Sequence, residues 1–250
     1  MDFVSGEILV VDKPLGWTSF DAVKRIRGAI QRRLGLKKFK VGHAGTLDPL
    51  ATGVLLVCTG RATRRIDTLQ NGHKEYVATL RLGATTPSFD LETEIDNVYP
   101  TDHITIGMIR EILPKFQGNI MQVPPIFSAV KVDGKRAYKF ARKGKEVELK
   151  AKPLLISEIE LLSFSGSELK IRVVCSKGTY IRALARDIGV ALGSGAHLIA
   201  LRRTRVGDFP ETAAHSVEDA VKLISETPLE FPDDYVLPEK LSKENKSQNI

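Results

Sequence analysis

The chain is 250 residues long, with 42% apolar, 27% charged and 6% aromatic side chains. This composition excludes disordered and collagen-like chains and leaves material for one large domain or two small ones. Lysine and arginine number 37 against 30 acids, a formal charge of +7, which favours a polyanionic partner.

Residues 7–11 predict a short buried strand, closed by the turn Asp12-Lys13-Pro14-Leu15-Gly16. A helix follows, with Thr18 or Ser19 as N-cap and Asp21 in its first turn. Phe20, Val23, Ile26, Ile30 and Leu34 recur at three- and four-residue spacing and predict one apolar face. Residues 41–53 read as a glycine-punctuated loop, followed by a buried strand at 54–58 and a short basic helix at 62–69. Residues 74–82 alternate, with Tyr76, Ala78, Leu80 and Leu82 on one face of a strand. An acidic strand or loop is expected at 90–96, a helix at 105–116, and strands near Ile120 and at 127–132. Residues 135–143 predict a basic helix, and 153–164 and 169–175 predict strands. A helix opens at Gly178-Thr179 and runs to about Leu192, and 197–205 form a last strand. Beyond Gly207 only a helix at 216–224 is predicted, and the polar end from about Pro238 is expected to be disordered. Strands and helices mix without regular β-α-β alternation, which predicts an α+β fold with a mostly antiparallel sheet flanked by helices.

Residues 1–65 hold twelve of the basic side chains against five acids, and the remainder of the chain is neutral. No acid lies between Asp21 and Asp48, a stretch carrying Lys24, Arg25, Arg27, Arg32, Arg33, Lys37, Lys38 and Lys40. This is either a phosphate-contacting surface or a solvated helix face. The two cysteines, Cys58 and Cys175, sit apart in apolar runs and read as buried structural thiols. The five histidines show no metal-ligand spacing, so no metal is expected. No apolar run approaches membrane-spanning length, and Asp2 and Glu7 interrupt any signal-peptide pattern. A cytoplasmic protein follows, with no membrane partner and with a monomer as the expected state.

The 41–53 loop contains Asp48 ahead of Pro49, between the apolar Leu47 and Leu50. An isolated Leu-Asp-Pro reads as a turn carboxylate bonded to its own loop. The apolar neighbours press this loop onto the core, where a carboxylate must be paired or neutralised. The stretch His43-Ala44-Gly45-Thr46-Leu47-Asp48-Pro49-Leu50-Ala51-Thr52-Gly53-Val54-Leu55 closely resembles the signature of the TruB family, the bacterial tRNA pseudouridine-55 synthases. Asp12–Ser19, then Lys74-Glu75-Tyr76 with Arg81-Leu82-Gly83, and Cys175–Arg182 resemble that family's other motifs, in the same order and separation.

The resemblance implies a pseudouridine synthase fold and isomerisation of one uridine in the T-loop of tRNA, a reaction for which no cofactor is expected. It implies that Asp48 is the catalytic carboxylate and that Arg182 pairs with it in a dry pocket. A pair near 4 Å is worth on the order of 4 kcal/mol at an effective dielectric of ~20. Tyr76 would stack on the uracil, although its place on an alternating strand by itself favours a core aromatic. Tyr180 would sit beside the base as a proton-transfer or positioning group, and Leu201 would close the pocket. On the substrate side, His43 would enter the T-loop where the target base flips out. Lys13 is assigned to substrate binding as well. Arg64, with Arg61, Arg65 and the Lys24–Lys40 cluster, would contact phosphates.

Residues 1–237 are expected to form the catalytic domain, with 238–250 a disordered tail. The acidic 43 residues after Gly207 are too few for a C-terminal RNA-binding domain of the PUA type. A non-catalytic RNA-binding or RNA-folding protein on the same fold is the alternative reading.

Overall fold

The structure is a computed structural model and describes residues 1–128, 130–132, 134–141, 147–233 and 235. The chain divides into two compact units. The first comprises residues 1–72 and residues from 203 on, and the second comprises residues 73–202. The predicted tail from 238, and residues 142–143 of the predicted basic helix, lie outside the described residues.

In the first unit, strand Ile8–Lys13 pairs antiparallel with Ala51–Thr59 and parallel with the short strand His215–Ser216. Strand Val41–Ala44 pairs antiparallel with the second half of Ala51–Thr59. The predicted 41–53 loop is therefore shorter than expected, because both of its ends are recruited into the sheet and leave only residues 45–50 as connection. Leu55 and Val57 face a core built with helices Ser19–Arg33 and Val217–Glu226. Val54 and Leu56 face a second cluster with Ala44 and Val206. A strand buried on both faces explains the unbroken apolar run.

Helix Ser19–Arg33 begins as predicted. Thr18 caps it, and its hydroxyl and the Asp21 carboxylate bond each other's backbone N–H in a capping box. Val23, Ile26, Ile30 and Leu34 are buried, but Phe20 is 57% exposed. Ser19 takes the inward position instead, and a 100° step turns Phe20 outward, where the Arg27 guanidinium lies 5.6 Å from its ring. The predicted helix at 62–69 divides into a 3-10 turn Gly60–Arg65 and a short helix Ile66–Asn71.

The second unit is built on antiparallel strands in the order Lys74–Leu82, Glu168–Cys175, Lys152–Ser165 and Gly118–Gln122. Lys74–Leu82 alternates as predicted, with Tyr76, Ala78, Leu80 and Leu82 buried. Helix Ile181–Ala191 also lies in this unit, and Gly189 lets its backbone approach Gly195 and Ala196 too closely for any Cβ. The predicted 105–116 helix is α-helical only over Ile106–Ile112 and tightens into a 3-10 turn at Pro114, which has no N–H to continue the ladder. The strand predicted at 127–132 is limited to Lys131–Val132, paired with Lys135–Arg136, and the following helix is Tyr138–Ala141. Both units set helices against mainly antiparallel strands, so the α+β class read from the sequence holds. Cys58 and Cys175 are buried and not joined in a disulfide, as expected.

Candidate active site

Lys13, His43, Asp48 and Arg64 lie in the first unit, and Tyr76, Tyr180, Arg182 and Leu201 in the second. Asp48 is half-buried on the 45–50 connection, and its carbonyl accepts from the Ala51 N–H at 3.0 Å, which closes the turn. Both chain neighbours of Asp48 are tied down. The Leu47 N–H donates to Ser19 Oγ at 2.8 Å, and the same hydroxyl donates to the Leu47 carbonyl at 3.1 Å. The Pro49 carbonyl accepts from the Gly16 N–H at 2.8 Å.

Arg203, 1% exposed, grips the same loop from another side. Its Nε donates to the Val54 carbonyl at 2.7 Å, and its terminal nitrogens lie 3.1 Å from Gly45 O and 3.4 Å from Thr46 O. A Cβ on Gly53, which has φ +102°, would collide with the Arg203 backbone. Glycine at 53 is thus demanded by both conformation and contact.

Lys13, assigned to substrate binding on the family resemblance, is completely buried. Its ammonium donates to the carbonyls of Pro14 at 2.8 Å and Trp17 at 2.6 Å, and lies 3.5 Å from that of Pro49. Burial lowers its pKa to about 8, against the opposing pull of the Asp48 charge. The folded state therefore sheds this proton at lower pH than the unfolded chain does, and stability contributed by Lys13 rises between pH 8 and 10.5. Across that window the unfolding free energy of the wild type should gain about 3 kcal/mol over that of Lys13→Met. Denaturant titrations at both pH values check this, and parallel curves would contradict it.

His43 is half-buried on strand Val41–Ala44, and its Nδ1 is buried with no hydrogen-bond partner among the described residues. Burial, then the Arg203 charge, lowers its pKa below the usual imidazole value, against an opposing bond to the Gly45 backbone. Arg64 is exposed beside Arg61 and Arg65 on the 3-10 turn. Along helix Ser19–Arg33 runs an open groove of about 640 Å³, lined by Trp17, Lys24, Arg27, Gln31 and Arg32 among others. Arg25 on the same helix is engaged by Glu218 at 2.7 Å.

In the second unit, Arg182 sits in the first turn of helix Ile181–Ala191 and is 5% exposed. Its guanidinium donates to Ser88 O at 3.2 Å and Phe127 O at 3.0 Å, and its Nε lies 3.5 Å from the Asp90 carboxylate. Asp90 is 4% exposed. The sequence shows Asp90 only as one acid of a polar stretch. Its signal is the general one that a buried arginine requires a counter-charge. Asp187, the acid nearest Arg182 in sequence, is instead held by Arg186 at 2.7 Å, and burial pushes its carboxyl above the usual range.

The segment presenting Asp90 is strained. Phe89 adopts φ +62°, a left-handed conformation unusual for a residue with a side chain. Such residues persist where surrounding bonds over-determine them. Here Thr86 and Ser88 hydroxyls both donate to the Asp90 carbonyl, and the Leu198 N–H donates to that of Phe89.

Tyr180 occupies the N-cap position of helix Ile181–Ala191 without capping it through its side chain. Gln122, 2% exposed, clasps the Tyr180 backbone instead, accepting from its N–H at 2.9 Å and donating to its carbonyl at 3.2 Å. Tyr76 is 9% exposed and registers opposite Val173. Leu201 is half-buried on strand Ala196–Val206. Ser19, Arg203, Asp90 and Gln122 are the site components that sequence reasoning missed. Among the described residues, no three His, Cys, Asp or Glu side chains are grouped to hold a metal ion.

Residues 31–181 match the family model described as TruB family pseudouridylate synthase, N-terminal domain. The chain belongs to the TruB family. A second TruB model, described as tRNA pseudouridylate synthase B C-terminal domain, matches residues 182–240. The chain is 65% identical to tRNA pseudouridine synthase B of Parabacteroides distasonis, over 88% of this chain and 93% of that protein. It is 64% identical to tRNA pseudouridine synthase B of Phocaeicola vulgatus, over 92% of this chain and 98% of that protein. Among solved structures, a chain of a Cbf5-Nop10-Gar1 complex is similar at a TM-score of 0.67 and 34% identity. That match covers 89% of the TruB-family chain and 55% of the other, so this chain spans about half of that protein's length. The resemblance carried by the four motifs is therefore borne out at the level of family and fold. No helix among the described residues is long and apolar enough to cross a membrane.

Proposed function

We propose that this chain isomerises the T-loop uridine at tRNA position 55 to pseudouridine. The observation that carries this reading is its 64–65% identity to proteins named tRNA pseudouridine synthase B over nearly their whole lengths. The reaction breaks the N-glycosidic bond, turns the uracil while it remains bound, and joins its C5 to C1′ of the ribose, with the C5 proton released to solvent and the freed N1 taking one up. Asp48 acts as the nucleophile. Arg182 supplies the positive charge that favours the ionised Asp48, and Asp90 orients that guanidinium. Tyr76 stacks on the flipped base, Tyr180 positions it or relays a proton, and Leu201 closes the apolar side.

His43 supports the substrate side of this reading, since a planar ring whose Nδ1 has no hydrogen-bond partner among the described residues suits insertion into a loop of unstacked bases. Arg64 and the exposed cations of residues 24–40 meet phosphates. The chain acts as a monomer, in the cytoplasm, where unmodified tRNA is met. Incubation with an unmodified tRNA transcript, followed by digestion to nucleosides and chromatography, tests the proposal. One pseudouridine per tRNA is expected, mapping to the T-loop, and a transcript left unchanged would contradict the reading.

Lys24, Arg32, Lys37 and Lys38 are all exposed. Replacing the four by Gln should weaken tRNA binding and flatten its salt dependence, by roughly 0.7–0.9 in log–log slope for each phosphate that is no longer neutralised. The rate at saturating tRNA should change less than about two-fold, because these cations bind the ground and transition states equally. Filter binding across a salt series reads the slope, and an unchanged slope would make this a solvated face only.

A further inference from the structure

Asp48 can attack only if its carboxylate is held at a fixed place, and a six-residue connection does not hold itself. The 45–50 connection is immobilised by two buried side chains that belong to distant parts of the chain. Ser19, 2% exposed, satisfies both the N–H and the carbonyl of Leu47, the residue immediately before Asp48. Arg203 spans the loop at its base, with carbonyls of Gly45, Thr46 and Val54 all turned to one guanidinium.

Neither arrangement is needed merely to close the chain between two paired strands. The turn is already closed by the Ala51 N–H bond to the Asp48 carbonyl, and the strands by their own ladder. A buried arginine facing three carbonyls, and a buried serine clasping one residue's entire backbone, fix orientation at bonds that a mobile loop would leave to water.

We propose that Ser19 and Arg203 are positioning residues for Asp48, setting the direction of its carboxylate without touching substrate. This rests on the reading of Asp48 as the nucleophile. Reacting groups must be held near attack geometry, and a displacement of about 1 Å can cost on the order of 100-fold in rate. The hydroxyl and guanidinium therefore act on the chemical step and leave RNA affinity untouched.

The test uses the full chain, a T-arm hairpin, and the variants Ser19→Ala, Arg203→Lys and Asp48→Asn. Single-turnover rates at saturating hairpin, hairpin Kd and amide exchange at Leu47 are measured well below each variant's unfolding transition. Ser19→Ala is expected to lower the saturating rate by about 10- to 100-fold. Its Kd should stay within about three-fold, and Leu47 should exchange faster while the Val54–Cys58 amides do not. Arg203→Lys keeps the charge but reaches fewer carbonyls, and it should show the same split between rate and affinity.

A Ser19→Ala protein with the wild-type saturating rate overturns the proposal, as does a rate deficit that disappears when the folded fraction is restored. If Ser19→Ala does not fold, a folded Arg203→Lys at the wild-type rate overturns it instead. Asp48→Asn separates the two levels of the account. Activity retained there removes the nucleophile reading itself, whereas its loss beside an unimpaired Ser19→Ala removes the positioning proposal alone.

Discussion

Arg182→Ala is expected to lower the stability of the protein by about 3–5 kcal/mol. Both side chains of the Arg182–Asp90 pair are 6% exposed, so truncating the arginine leaves a carboxylate buried without its ion-pair partner. It also strips a donor from the carbonyls of Ser88 and Phe127. For a chain of this size, each kcal/mol moves the melting temperature by roughly 2–4 °C, so the transition should fall by about 10 °C. The cause is separable from simple loss of packing. In the Arg182→Ala/Asp90→Ala double variant the stranded charge is gone, and part of the lost stability should return. Chemical denaturation of the two single variants and the double variant checks this. A cost below about 1 kcal/mol for Arg182→Ala, or simple additivity, would contradict the pairing. Turnover should fall together with stability, since Arg182 is also proposed to balance the catalytic carboxylate.

Asp48→Asn is expected to abolish turnover, by a factor of about 10,000 or more, as removal of a covalent nucleophile does. The substitution keeps the shape of the side chain and removes no positive charge, so tRNA affinity should stay within a few-fold. The loop should also hold its form. The bonds from Ser19, Gly16 and Arg203 all end on backbone atoms of residues other than Asp48. Equilibrium binding and single-turnover assays on one preparation read the two quantities together. A variant that turns over at the wild-type rate, or one that no longer binds tRNA, would contradict the assignment.

The local features of the sequence were legible because they are set by neighbours. Thr18 and Asp21 form the capping box that their spacing announces, and Lys74–Leu82 buries the alternate residues that its pattern selects. Periodicity failed where a polar residue took an inward place. Ser19 is buried because its hydroxyl serves Leu47, and Phe20 is therefore turned to solvent although it fits the apolar spacing.

The site residues were legible only through the family motifs, because none of them stands out by periodicity or composition. The partners of those residues were not legible at all. Asp90 meets Arg182, Gln122 clasps Tyr180 and Arg203 holds the Asp48 loop across separations that no local pattern encodes. The surroundings of Lys13 were equally hidden, since no local pattern encodes its complete burial beside the carbonyls of Pro14, Trp17 and Pro49.

On the proposed function, the chain breaks and remakes the bond between one tRNA uridine and its ribose through Asp48. The most direct test is release of tritium from uridine labelled at C5 in an unmodified tRNA, with wild type and Asp48→Asn assayed side by side. About one equivalent should be released per tRNA by the wild type and none above background by the variant. No release by the wild type, or equal release by both, would contradict it.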